Sequence, residues 1–208
     1  MNKKCGVFYE IGAAGYALRH LLEDDWHAEN QKRLEKGENL YADPVYFPDI
    51  EKWNGYFIDP SPCVIKDGLQ FGIPGHHFNM AIAGTHRVER IETFLPENSE
   101  DLGLCSLANN VLFIDTDVHK TFYTYCITLD ALFDFTQAPP DLLRVDVEGA
   151  EHEVFEAYSF KHRPRVIQID YHTVLGNLIS ILENHDYKIV DTAFDNEDLL
   201  AIDERILL

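Results

Sequence analysis

Leu142-Leu143-Arg144-Val145-Asp146-Val147-Glu148-Gly149-Ala150-Glu151 is the stretch on which the reading of this chain turns. A short apolar run, without the alternation of a half-solvated strand, ends on Asp146 and Glu148. Gly149 then opens an amphipathic helix whose buried side is marked by Ala150, Val154 and Tyr158. A continuously apolar strand followed directly by a helix is what a parallel sheet covered on both faces requires. In an open parallel sheet the carboxyl ends of the strands border the ligand crevice. The stretch therefore predicts two carboxylates delivered to a site.

Working outward, the same grammar recurs. Cys5 to Ile11 reads as a buried strand, Gly12 to Gly15 as a tight turn, and Ala17, Leu18, Leu21 and Leu22 as one face of a helix. Tyr56 to Ile58 is a short strand ending at Asp59-Pro60, and Ser61 with Pro62 starts a helix. Phe78 to Ala83 is a strand closed by Gly84. Residues 87–94 and 111–128 suit antiparallel strands, with a polar loop over 95–110. Thr128 caps a helix through Leu129, Leu132 and Phe133. Val166 to Ile169 is a strand, and Leu175, Leu178, Ile179 and Leu182 mark a helix. Tyr187–Val190 and Leu199–Ile202 form a closing antiparallel pair. The expected fold class is α/β: a Rossmann-like, doubly wound, mostly parallel sheet with a terminal antiparallel pair. One domain over 1–208 is expected, with a long insertion at about 23–53 and extra antiparallel strands at about 87–128.

Composition narrows the partners. The 208 residues carry 36 acidic against 17 basic side chains, a formal charge of -19. Such a surface repels polyanions, which disfavours nucleic acid and anionic membranes. The basic cluster Lys161, His162, Arg163 and Arg165 reads as a solvated loop before a strand. Cysteines at 5, 63, 105 and 126 stand singly in apolar contexts and read as buried free thiols of a reducing compartment. With no leader pattern or spanning run, the expectation is cytoplasmic. Aromatics at 41–53 suit a homodimer patch or a lid.

The candidate site residues lie at strand ends. Glu10-Ile11-Gly12-Ala13-Ala14-Gly15 joins the first strand to its helix. A carboxylate here repels a pyrophosphate and attracts a cation, and the three glycines of a dinucleotide fingerprint are not present. Asp59, ending the second strand, is placed to accept hydrogen bonds from ribose hydroxyls, or is simply an Asp-Pro turn. Asp146 and Glu148, spaced two apart, share a face if extended; Asp170 and His172 repeat that spacing at the end of the next strand. If the two strands are neighbours, four polar groups converge, as a general base site or, through Asp146 and Asp170, a divalent-metal site. His76 and His77 read as structural or solvated.

These segments, in this order, resemble the FkbM-type family of S-adenosylmethionine-dependent methyltransferases. The blocks are Tyr9-Glu10-Ile11-Gly12-Ala13, Ile58-Asp59-Pro60-Ser61-Pro62, Cys105-Ser106-Leu107, Ile127-Thr128-Leu129-Asp130, the Asp141–Glu151 stretch and Val166–His172. The resemblance implies the class I methyltransferase sheet, S-adenosyl-L-methionine as cofactor, and methyl transfer to a hydroxyl of a small acceptor such as a sugar. It implies that Glu10, Gly12 and Gly15 hold the methionine part, Asp59 the ribose and Ala81 the adenine. Asp146, Glu148 and His172 then face the acceptor, with Asp146 or His172 as base. The family commonly has Glu where this chain has Asp59. The competing readings are a metal-assisted O-methyltransferase and a non-catalytic binding protein that keeps the fold.

Overall fold

The computed structural model describes residues 6–13, 52–70, 72–94, 104–107, 118–171, 175–191 and 198–206. Strands β1 (Val7–Ile11), β2 (Asn54–Asp59) and β3 (His76–Asn79), then β8 (Leu142–Val145), β9 (Val166–Asp170), β10 (Tyr187–Asp191) and β11 (Asp198–Asp203), form a seven-stranded sheet. Its order is β10-β11-β9-β8-β1-β2-β3. The pairs β1–β2, β2–β3, β1–β8 and β8–β9 are parallel, and β11 runs antiparallel between β9 and β10. The chain builds outward from β1 through β2 to β3, then returns to the other side of β1 with β8. The order therefore reverses at the β1–β8 seam, and a ligand crevice is expected outside the strand ends there.

All four residues of β8 are buried, which explains why Leu142 to Val145 lacks polar alternation, with Arg144 as the one charged residue in the run. The two faces of the sheet carry different partners. Tyr9, Ile58, Val145 and Ile169 share a cluster with Phe133 of α2 (Leu129–Thr136), Phe155 of α3 (Glu151–Ala157) and Leu178 of α4 (Leu175–Asn184). Phe8, Phe57 and Leu142 lie in a second cluster with Val64 of α1 (Pro62–Gln70). Pro62 opens α1 as expected, and the Thr128 hydroxyl caps α2 by accepting from the Ala131 amide at 3.3 Å.

Strands β4 (Ala81–Ile82), β5 (Arg87–Phe94), β6 (Leu104–Leu107) and β7 (Val118–Ile127) form a second sheet in the order β4-β7-β5-β6. The long antiparallel β5–β7 ladder was expected; β6 was not, because four residues inside a polar stretch carry no readable period. The strand expected over Phe78–Ala83 is split. β2 ends at Asp59, and Pro60 has no amide to continue the ladder. The Met80 amide turns back to the Asp59 carbonyl at 3.1 Å, and the chain leaves to pair with β7.

Other expectations are corrected. Cys63 is exposed, while Cys126 is buried; both are free thiols. Arg163 is no solvated residue: it donates twice to the buried Asp203 at 2.9 Å and lies 4.6 Å from the centre of the Tyr187 ring. Trp53, partly buried, packs its ring on the second cluster and fills the space beside Gly6. Tyr41, Tyr46, Phe47 and the helix expected at 17–22 lie outside the described residues.

Candidate functional site

At the end of β1, Gly12 has φ +79°. A Cβ placed on it would sit 1.6 Å from the Asp146 carbonyl oxygen. The Gly12 amide donates to the Ile58 carbonyl at 2.8 Å, and the Ala13 amide shares that acceptor at 3.3 Å. The Asp146 amide donates to Ile11 at 2.9 Å. Glycine is therefore needed so that the ends of β1, β2 and β8 can knit together. The Gly12 and Ala13 amides are thereby engaged within the protein rather than turned towards an anion.

Three carboxylates meet where those strand ends meet. Glu10 is fully buried and Asp59 is 2% exposed. The Ser61 amide donates to Asp59 Oδ1 at 2.7 Å, so the Asp-Pro turn foreseen in the sequence is present. Burial pushes the Asp59 carboxyl up to about 7; the Ser61 hydrogen bond opposes that rise, and the charges of Asp146 and Glu10 add to it. Asn79 secures the turn from β3, donating to the carbonyls of Asp59 at 3.1 Å and Pro60 at 2.8 Å.

Arg144 stands among these acids. It pairs in register with Glu10 on β1 and with Gln168 on β9, which places the three side chains in one row on one face. Its Nη1 lies 3.8 Å from Glu10 Oε1, and its Nη2 donates to Asp146 Oδ2 at 3.3 Å. Sequence reasoning missed this residue. The available signal was a charged side chain inside a run otherwise as apolar as Leu-Leu-Val.

Beyond Val145 the chain departs from the expectation. Asp146 and Glu148 do not share a strand face, because β8 ends before them. Glu148 adopts φ +52° and Gly149 φ +100°, forming a turn, and the helix begins only at Glu151. Glu148 is thus neither extended nor in a first helical turn. The buried Glu151 accepts from the Gly149 amide at 2.8 Å and closes this turn. β8 and β9 are neighbours as anticipated, with Val145 beside Ile169, so Asp146 and Asp170 follow at one rim. Gly15 and His172 lie outside the described residues.

Ala81, expected near the adenine, lies in β4 of the second sheet. It is 6% exposed and packs with Ala83 and Cys126 in the second sheet. That sheet is tied to the site helix instead. The Gly84 amide donates to Glu153 Oε1 at 2.9 Å, and Arg87 Nη1 lies 2.6 Å from the same oxygen. These bonds, the Arg87 one foremost, hold the Glu153 carboxyl below its usual range. Among the described residues no group of three or more His, Cys, Asp or Glu side chains is arranged to hold a metal ion. Among them, too, no helix is long and apolar enough to cross a membrane.

Comparison with curated proteins and with solved structures finds no match. Residues 35–189, more than half of the chain, match the Methyltransferase FkbM domain. That span contains Asp59, Arg144, Asp146 and the turn up to Glu151, while Glu10 and Gly12 precede it. The chain belongs to the FkbM methyltransferase family.

Proposed function

We propose that this protein is an S-adenosylmethionine-dependent methyltransferase with a Rossmann-like, doubly wound sheet, and that it methylates a hydroxyl oxygen of a small acceptor such as a sugar. The observation that carries the reading is the meeting of Glu10, Asp59 and Asp146 at neighbouring strand ends, with the Arg144 guanidinium between Glu10 and Asp146. The residues fit the cofactor's chemistry. A negative rim suits a sulfonium and an ammonium, and the engaged amides of Gly12 and Ala13 disfavour a pyrophosphate ligand.

When bound, S-adenosylmethionine supplies an electrophilic methyl group. The chain's own residues then have distinct tasks. Glu10 sets the negative potential near the methionine end. Asp59 accepts hydrogen bonds from the ribose hydroxyls. A shallow pocket of about 410 Å³, lined by Pro62, Ile65, Lys66, Leu69, Gln70 and Asn79, adjoins the Asp59 turn through Asn79. We assign the adenine to this pocket, beside the Ala81 position that the family resemblance implies. Asp146, less buried than the other two acids, accepts the acceptor's hydroxyl proton. His172 is the other candidate for that proton. Much of the remaining catalysis is alignment of the two reactants. A cytoplasmic setting, which keeps the exposed Cys63 thiol reduced, belongs to the same proposal.

The test is methyl transfer from S-adenosylmethionine to a panel of sugars and other hydroxyl compounds. Removing the base in Asp146→Asn is expected to cost about 100-fold or more in turnover. Undiminished turnover in both Asp146→Asn and His172→Ala would remove both residues from the mechanism.

A further inference from the structure

Two anchors of the second sheet lie on either side of the β1 end. β3 stops level with the end of β2, Asn79 beside Asp59, so the chain that follows lies beyond the carboxyl rim of the large sheet. There the Met80 amide donates to the Asp59 carbonyl at 3.1 Å, and β4 pairs with the end of β7. The other anchor is Glu153 in the first turn of α3, the helix that begins where the turn after Asp146 is closed by Glu151. Its Oε1 accepts from the Gly84 amide at 2.9 Å and from Arg87 Nη1 at 2.6 Å. β2 and β8 flank β1, so one anchor stands at Asp59 and the other on the Asp146 side.

The corner between β4 and β5 is shaped for the second contact. A Cβ on Gly84 would lie 2.7 Å from Glu153 Cγ and 2.8 Å from the Glu153 carbonyl oxygen, so a glycine lets the two backbones come this close. Arg87 is presented in one orientation, because its Nε donates to Glu89 at 2.6 Å and its Nη1 also donates to Thr85 at 2.8 Å. A planar fork held in this way loses little freedom when it takes a carboxylate. The Arg87 and Glu153 side chains are 28% and 44% exposed, and ion pairs so placed add little to overall stability. What the contact fixes is the distance of the second sheet from α3.

We propose that Glu153 is a positioning residue which, with Gly84 and Arg87, holds the second sheet as a wall over the rim between Asp59 and α3, and so sets the room left for the methyl acceptor beside Asp146. Releasing Glu153 frees the sheet at α3, while Met80 still holds it at Asp59. The acceptor side then loosens and the cofactor side does not. The clamp is a property of the free protein, and its consequence for the acceptor rests on the methyltransferase reading above.

The experiment has two arms on the full chain. In the first, amide hydrogen exchange compares the ligand-free wild type with Glu153→Ala. The Gly84 amide is expected to exchange roughly tenfold faster in the variant, while the amides of β10 and β11 stay within about twofold. In the second, methyl-transfer kinetics use a sugar or other hydroxyl compound from the panel that the wild type methylates. Glu153→Ala and Gly84→Ala are expected to raise the KM for that acceptor roughly fivefold or more, and to leave the KM for S-adenosylmethionine within about twofold. Glu153→Gln, which keeps an oxygen for the Gly84 amide but loses the charge facing Arg87, is expected to fall between Glu153→Ala and the wild type. A merely structural contact would lower stability and leave both KM values alone. An unchanged Gly84 amide in Glu153→Ala, an unchanged acceptor KM, or equal rises in both KM values overturns the proposal. If Glu153→Ala does not fold, Glu153→Gln carries the test, and a wild-type acceptor KM there overturns it. A faster Gly84 amide in a chain whose wild type transfers no methyl group supports the clamp and overturns the methyltransferase reading, and the acceptor role with it.

Discussion

Asp59 shows how a buried carboxyl sets itself against stability. Its carboxyl is raised to about 7 from an ordinary value of 3.8. A folded value above the unfolded one favours folding at low pH. The stabilisation is complete below about pH 4 and is lost as the pH rises towards 7, a change on the order of a few kcal/mol. Asp59→Asn is expected to flatten that decline and to be at least as stable as the wild type at pH 7, as followed by urea melts across pH 4–8. A variant that keeps the wild-type pH slope contradicts this. Gly12→Ala is expected to lose roughly 3 kcal/mol or more, since the new Cβ meets the Asp146 carbonyl in a left-handed backbone. Thermal melting within a degree or two of wild type would show that the strand ends are not knit as described. At Glu148, φ +52° makes Glu148→Gly nearly neutral, whereas Glu148→Val should cost about 1–2 kcal/mol. Equal melting temperatures for the two variants would contradict the turn.

The element scale separates what the chain displayed from what it concealed. The strand over Leu142–Val145 was legible because burial on both faces leaves a run that is apolar but for Arg144. The Thr128 cap was legible because a hydroxyl before a periodic apolar stretch has few other uses. The break at Met80 was not, because it depends on where β2 stops, a fact of the neighbouring strand. The start of α3 was misplaced by two residues for a similar reason. Gly149 reads as a helix opener, yet it forms a turn that the buried Glu151 closes. Asp59 and Asp146 were legible as strand-end acids. Arg144 was not, because its role appears only when β1 lies beside β8. The second sheet's attachment through Arg87 and Glu153 was equally invisible, since 66 residues separate the partners. A double-mutant cycle with Arg87→Ala and Glu153→Gln should return a coupling of about 1 kcal/mol, modest because both side chains are partly solvated. A coupling of zero would mean that other contacts dock that sheet to α3.

At the scale of the whole molecule, the strand order places the chemistry. Reversal at the β1–β8 seam gathers acids from three strand ends, and we propose that the methyl transfer of the family takes place there. The far side of the sheet is secured by different means. Arg163 and Arg205 both donate to the buried Asp203, the last residue of β11, and Arg163 lies over Tyr187 at the start of β10. Asp203→Ala leaves that arginine uncompensated and should cost about 3–5 kcal/mol without altering ligand affinity per folded molecule. A loss of affinity in the folded fraction would show that the antiparallel edge and the crevice are coupled.

The central claim is that the acids at the seam hold S-adenosylmethionine, and calorimetric titration of the wild type beside Glu10→Ala and Asp59→Ala tests it most directly. The account predicts micromolar-range binding, weakened roughly tenfold or more in both variants, as expected when hydrogen bonds or charge contacts to a ligand are removed. Absence of binding by a folded wild-type chain, or binding unchanged in both variants, would contradict it.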